Sequence, residues 1–119
     1  MTHNNIIQDK SFDLVVKVVK AIKAFRKQEK EFEITGQLLR SATSIGANIE
    51  EAIGGYSSKD FQFKVNLSYK EARETKYWLR IMKAAEMMEE RVLDDLLKGS
   101  EEVLKILGAI TKTLKIRNS

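Results

Sequence analysis

The stretch from Gln37 to Phe61 constrains the fold of this chain more than any other. Leu38, Ala42, Ile45, Ile49 and Ala52 recur at the three- and four-residue spacing of one helix face. Between them lie mostly small residues, among them Ser41, Thr43, Ser44, Gly46 and Ala47, which let a neighbouring helix approach closely. Ser41, Ser44, Asn48 and Glu51 add a polar line at the same spacing. Gly54-Gly55 reads as a stop, because glycine accepts the left-handed cap conformation. Ser57, with Asp60 three residues on, resembles a capping box and restarts a helix. A helix, a tight turn and an immediate second helix imply an antiparallel pair.

Composition agrees with a helical bundle. Of 119 residues, 43% are hydrophobic and 32% charged, and none is proline. A chain of this length buries roughly two thirds of its unfolded surface, enough for one core. One domain, 1–119, is expected, with residues 1–10 as a flexible lead. The lack of cysteine excludes disulfides, thiolate metal sites and cysteine nucleophiles. No apolar run is long enough to span a bilayer, and the first five residues lack the basic and apolar regions of a secretory signal. The expected location is the cytoplasm, with no membrane partner.

The periodicity predicts four helices. Ser11 is the expected N-cap of the first, with Asp13 in the first turn, where the helix dipole favours an acid. Its apolar set, Leu14, Val15, Val16, Val18, Val19, Ala21, Ile22 and Phe25, is too broad for one seam. The surplus calls for a second buried surface, and Leu14, Val18, Ala21 and Phe25 are the expected oligomer interface. The second helix begins near Thr35. The third runs from about Ser58 to Met88, with Phe61, Val65, Ser68, Ala72, Thr75, Leu79 and Met82 as its seam. The fourth follows Leu93, Leu96, Leu97, Ser100, Val103, Leu104, Leu107, Ile110 and Leu114. Short connections make consecutive helices antiparallel neighbours. The expected fold is all-α, an antiparallel up-down-up-down four-helix bundle. Ile45, Ile49, Val65, Ala72, Leu79, Val103 and Leu107 are its expected core.

The net charge is +4, and its distribution is uneven. Residues 10–33 hold seven Lys or Arg against four acids, and residues 57–88 hold seven against four. Lys17, Lys20, Lys23 and Lys27 repeat on the first helix. Lys70, Arg73, Lys76, Arg80 and Lys83 repeat on the third around Tyr77. Phosphates attract clustered cations, and an interleaved aromatic ring stacks on an unpaired base. Lys17, Lys20, Lys23, Lys70, Arg73, Lys76, Tyr77, Arg80 and Lys83 are therefore the candidate nucleic-acid-binding residues. The competing reading is an ordinary solvated face whose cations are tied to neighbouring acids.

Folding the third helix back on the second brings Arg40, Ser41, Ser44 and Asn48 alongside Ser68, Glu71 and Glu74. The favoured reading is a structural polar network that fixes helix register or a subunit boundary. The alternative is a ligand or metal pocket. Di-iron sites in bundles use paired Glu-x-x-His motifs, whereas Glu71-x-x-Glu74 has no histidine beside it. His3, the one histidine, falls in the lead. A serine triad therefore lacks its base, and there is no Gly-x-x-x-x-Gly-Lys phosphate loop. No catalytic residue, metal or cofactor is expected.

Three segments resemble one family. They are Leu39-Arg40-Ser41-Ala42-Thr43-Ser44-Ile45-Gly46-Ala47-Asn48-Ile49-Glu50-Glu51-Ala52, Ser57-Ser58-Lys59-Asp60-Phe61 and Glu71-Ala72-Arg73-Glu74-Thr75-Lys76-Tyr77-Trp78-Leu79. They are similar to the bacterial four helix bundle proteins, often encoded within intervening sequences of 23S rRNA genes. The resemblance runs from about Ser11 to Lys115. It implies a bundle assembled as a ring-shaped homopentamer. It also implies likeness in fold to the accessory subunit of diversity-generating retroelements, a basic pentamer that works with a reverse transcriptase and nucleic acid. It brings no catalytic residues. The expected function is a non-enzymatic, homo-oligomeric module that binds RNA or DNA through basic helix faces, with a nucleic-acid-processing protein as a further partner. The alternative is a purely structural ring scaffold that binds a protein partner.

Overall fold

The computed structural model describes residues 3–117, with side chains from residue 6 onward. Among them are four helices: α1 (His3–Phe25), α2 (Glu33–Ile53), α3 (Ser58–Ala84) and α4 (Glu90–Arg117). α1 touches α2 and α4, and α3 touches the same two, so α1 and α3 face each other across a diagonal. Ion pairs fix the directions. Lys10 meets Glu102 while Lys17 meets Asp95, and Lys76 meets Glu101 while Lys83 meets Asp94. Arg40 meets Glu71 while Glu51 meets Lys64, so α2 opposes α3 as α4 opposes α1 and α3: positions that rise along one helix fall along its neighbour. The long axis of 48 Å is that of the helices themselves laid side by side.

Ile45, Ile49, Val65, Ala72, Leu79, Val103 and Leu107 are all buried, as their spacing requires. Full burial of such a side chain is worth about 1.5–3 kcal/mol. That packing sustains α2, whose Ser, Thr and Gly content alone makes it a weak helix. Buried hydroxyls share the same seam and are bonded. Ser68 Oγ donates to the Ile45 carbonyl at 2.8 Å, and Ser100 Oγ to that of Leu97 at 2.8 Å. Among the described residues, no buried side-chain nitrogen or oxygen lacks a partner.

The helix ends differ from the sequence reading. α1 starts at His3, so residues 3–10 are helix rather than a flexible lead; residues 1 and 2 lie outside the described residues. Ile7, Ser11, Leu14, Val18 and Ile22 form one buried stripe, and that stripe carries the helix back past Ser11. Ser11 is thus no N-cap: its hydroxyl lies mid-helix and donates to the Gln8 carbonyl at 3.2 Å. α2 is started by Glu31, whose carboxylate accepts from the N–H groups of Ile34 at 2.7 Å and Thr35 at 3.0 Å. Partial burial opposes ionisation there, but these bonds outweigh it and hold Glu31 below the ordinary carboxylate range.

Ser57 does cap α3, accepting from the Asp60 N–H at 3.1 Å. The glycines before it act through space rather than handedness. Gly54 has φ −83°, and no described glycine has a positive φ. A Cβ at Gly55 would run into the Asp60 carboxylate and lie 3.2 Å from the Ala52 carbonyl. α3 ends at Ala84, short of Met88. Glu86 takes a left-handed φ of 55° there. Met87 N–H bonds the Met82 carbonyl at 3.0 Å and Glu86 N–H that of Lys83 at 3.1 Å, the Schellman closure.

Candidate nucleic-acid interface

α3 turns a continuous ridge to solvent. Lys59, Phe63, Asn66, Lys70, Arg73, Tyr77 and Arg80 follow at alternating four- and three-residue spacing, and all are exposed. No acid falls on that line. Among the described residues, Lys59, Lys70, Arg73 and Arg80 make no ion pair. From Lys59 to Arg80 the ridge runs about 32 Å at the standard helical rise. Beside it a groove of ≈ 650 Å³ is lined by Tyr69, Lys70, Arg73, Glu74, Lys76, Tyr77, Arg80 and Leu104. The Tyr77 ring meets Trp78 edge-on, with centroids 5.4 Å apart. Sequence reasoning found the second half of the ridge and missed Lys59, Phe63 and Asn66. Their unbroken spacing with Lys70 was the available signal.

The other candidates do not join this surface. Lys76 turns to Glu101 at 3.6 Å, and Lys83 to Asp94 at 2.6 Å and Glu90 at 3.8 Å, all on α4. Lys17 meets Asp95 of α4 at 3.3 Å. It lines a cleft of ≈ 210 Å³ where Lys10, Lys17 and Lys98 balance Asp13, Asp95 and Glu102. Lys20 and Lys23 are exposed and make no ion pair among the described residues, but they ride on α1, across the diagonal from α3. Of the nine candidates, only Lys70, Arg73, Tyr77 and Arg80 lie together on the ridge.

The polar cluster forms around Arg40. Its Nη1 donates to Glu71 Oε2 at 2.9 Å, its Nη2 to Glu71 Oε1 at 3.3 Å, and Nη2 also bonds Glu74 Oε2. Trp78 Nε1–H donates to that same Glu74 oxygen at 3.0 Å. The Trp78 bond, and then Arg40, hold the Glu74 carboxyl below its ordinary range against the effect of partial burial. The hydrogen bonds of Glu71 and Glu74 raise the Arg40 guanidinium further. Ser44 and Asn48, expected in this network, stay on their own helix. Ser44 Oγ donates to the Arg40 carbonyl at 2.7 Å, and Asn48 Nδ2 to the Ser44 carbonyl at 2.8 Å. One turn back is the nearest acceptor for a short polar side chain in a helix, and it satisfies both. Deeper between α2 and α3, Thr75 Oγ1 lies 2.9 Å from Ser41 Oγ.

Two of the four residues expected at an oligomer interface are core residues. Leu14 and Val18 are buried in the chain's own core, and Ala21 and Phe25 are half-buried. α1 has two neighbours, and the sector facing both is centred on Leu14 and Val18. The surplus apolar surface lies outside that sector, at Phe12 (66% exposed) and Val19 (44%), beside half-buried Val15 and Val16. Val19 and Leu39 line one shallow depression between α1 and α2.

Comparison with known proteins then adds what geometry does not. A model of the 23S rRNA-intervening sequence proteins matches residues 3–109. The chain belongs to that family. A solved relative, a protein with unknown function from the S23 ribosomal protein family of Bacteroides thetaiotaomicron VPI-5482, is 39% identical. The match covers 93% of this chain and 99% of that one, with a TM-score of 0.88. No curated protein matches. In this 23S rRNA-intervening sequence protein, no described helix is long and apolar enough to cross a membrane. Among the described residues, no three His, Cys, Asp or Glu side chains gather as a metal site.

Proposed function

We propose that this chain is a non-enzymatic, homo-oligomeric module of the cytoplasm that binds RNA or DNA along α3. The observation that carries the reading is the acid-free ridge, where Lys70, Arg73 and Arg80 stand exposed without an ion pair among the described residues. Clustered cations displace the counterions condensed on a phosphate chain, which drives binding. One chain offers few such contacts. A homopentameric ring repeats the ridge in every subunit, and avidity then grows without new contacts. Exposed Phe12 and Val19 on α1 supply apolar surface for a second copy, on the helix diagonal to the ridge. A protein that processes nucleic acid is the partner such a ring would serve.

Fluorescence anisotropy with labelled RNA and DNA tests binding. The wild type is expected to bind at low salt, and joint Lys70→Gln, Arg73→Gln and Arg80→Gln substitution to weaken it. Replacing Lys20 and Lys23 is expected to change little. Light scattering tests assembly: joint Phe12→Glu and Val19→Lys substitution should shift an oligomer towards monomer. The ion pairs of Lys17, Lys76 and Lys83 favour the scaffold alternative. A wild type that binds neither nucleic acid at low salt leaves that alternative standing in its place.

A further inference from the structure

The ridge carries more than charge. Two aromatic rings interrupt its cations, Phe63 at 58% exposure and Tyr77 at 54%. Phe63 lies outside the apolar core and the side chains packed against it. The Lys64 Nζ lies 5.9 Å from its ring centroid and is bonded to Glu51. Lys59 stands one turn before Phe63 and Asn66 one turn after it. Lys70 and Arg73 precede Tyr77, and Arg80 follows it. Cations flank Tyr77 directly on both sides, whereas Phe63 has Lys59 before it and Lys70 beyond Asn66.

We infer that the ridge is a track for single-stranded nucleic acid, with Phe63 and Tyr77 as two platforms for unpaired bases. Lys59, Lys70, Arg73 and Arg80 hold the phosphates between and beside them, and exposed Asn66 lies on the track one turn past Phe63. The inference rests on the nucleic-acid reading above and narrows it. A duplex keeps its base faces inside its own stack, so the rings offer it nothing that the cations do not. A single strand presents a π-face at every base, whatever its sequence.

The spacing of the rings sets a length. Phe63 and Tyr77 are about 21 Å apart along the helix, which is about six steps of a stacked strand. A strand shorter than that reaches one ring at a time, whereas a longer one engages both and gains by linkage.

Anisotropy with labelled oligouridines of graded length, and with an RNA duplex, tests this. Affinity for single strands should rise steeply once they reach about seven nucleotides. Phe63→Ala and Tyr77→Ala should each weaken a strand of about twelve nucleotides by about five- to hundredfold. Phe63→Ala should abolish the rise with length, and Phe63→Trp should keep it. Duplex affinity should stay within about twofold in both alanine variants. Circular dichroism and light scattering confirm that each variant keeps its helices and assembly. If the double alanine variant binds the long strand as the wild type does, or loses duplex and single strand equally, the stacking track is wrong. In that case the cationic reading stands so long as the Lys70, Arg73 and Arg80 variant still weakens binding. If the wild type binds no nucleic acid, both fall.

Discussion

Replacing Arg40 by methionine removes the guanidinium that joins two carboxylates, leaving Glu74 only its bond from Trp78. Three hydrogen bonds cross from α2 to Glu71 and Glu74 through that group. Arg40 is 47% exposed, Glu71 18% and Glu74 32%. A solvent-exposed pair is worth about 0–1 kcal/mol, and breaking a fully buried one costs about 3–5 kcal/mol. This cluster lies between, and the exposure of Arg40 discounts it, so the expected loss is about 1–2 kcal/mol. In a chain of this size that lowers Tm by about 3–8 °C. Methionine keeps much of the aliphatic packing, so the loss reports the charge.

The loss also has a pH signature. Trp78, and then Arg40, depress the Glu74 carboxyl below its reference value of 4.5. A depressed carboxyl adds stability above its unfolded value and loses it as pH falls through the folded one. Without Arg40 part of that contribution is gone, so the gap between wild type and variant should narrow in acid. Urea unfolding near pH 7 and near pH 3.5 measures both gaps. A variant as stable as the wild type near neutrality, or a deficit that acid leaves unchanged, would refute the view that this cluster locks α2 to α3. A more stable variant would refute it as well, since the desolvation cost of the cluster would then exceed what its bonds return.

Other substitutions test the fold independently. Ile49→Ala should destabilise by about 2–5 kcal/mol in urea titrations, because Ile49 is buried in the core; wild-type unfolding would place it outside. Gly36→Ala should stabilise by about 1 kcal/mol in thermal melts, since glycine weakens a helix interior. Nothing lies within 4 Å of the added Cβ, so a lowered Tm would reveal a contact that the structure lacks. Glu31→Gln should flatten the acid limb of Tm against pH. Glu31 is held low despite partial burial, so its contribution is present above pH 4.5 and is lost as pH falls through the folded value. An unchanged limb would mean that its bonds to Ile34 and Thr35 do not discriminate between protonation states.

The core and the order of helices were legible because each seam repeats at helical spacing over many turns. Leu38, Ala42, Ile45, Ile49 and Ala52 needed no partner to be read as one face, and all are buried. The start of α1 was less clear, because Asn4, Asn5, Gln8, Asp9 and Lys10 look like a tail. Ile7 and Ser11 continue the Leu14–Val18 stripe, but a buried serine gives no apolar signal. The end of α3 was not legible at all, since nothing in its composition tells that Glu86, rather than a glycine, takes the left-handed turn. On α1 the breadth of the apolar set was read correctly. Which part faces outward depends on where α2 and α4 sit, and the spacing of α1 alone does not contain that. The polar cluster was half legible: charge pairing found Arg40, Glu71 and Glu74, whereas hydroxyls and amides choose acceptors by local geometry. Trp78 carried one available hint, its place one turn after Glu74.

The central claim is that unpaired cations on α3 meet phosphates, and the salt dependence of binding tests it most directly. On single strands each contact contributes about 0.7 to the slope of log K against log salt. Lys59, Lys70, Arg73 and Arg80 together give about −3 for a strand lying on one ridge. The variant with glutamine at positions 70, 73 and 80 should retain only about −0.7. A slope that this variant leaves unchanged, or a wild type that fails to bind at the lowest salt, would contradict the account.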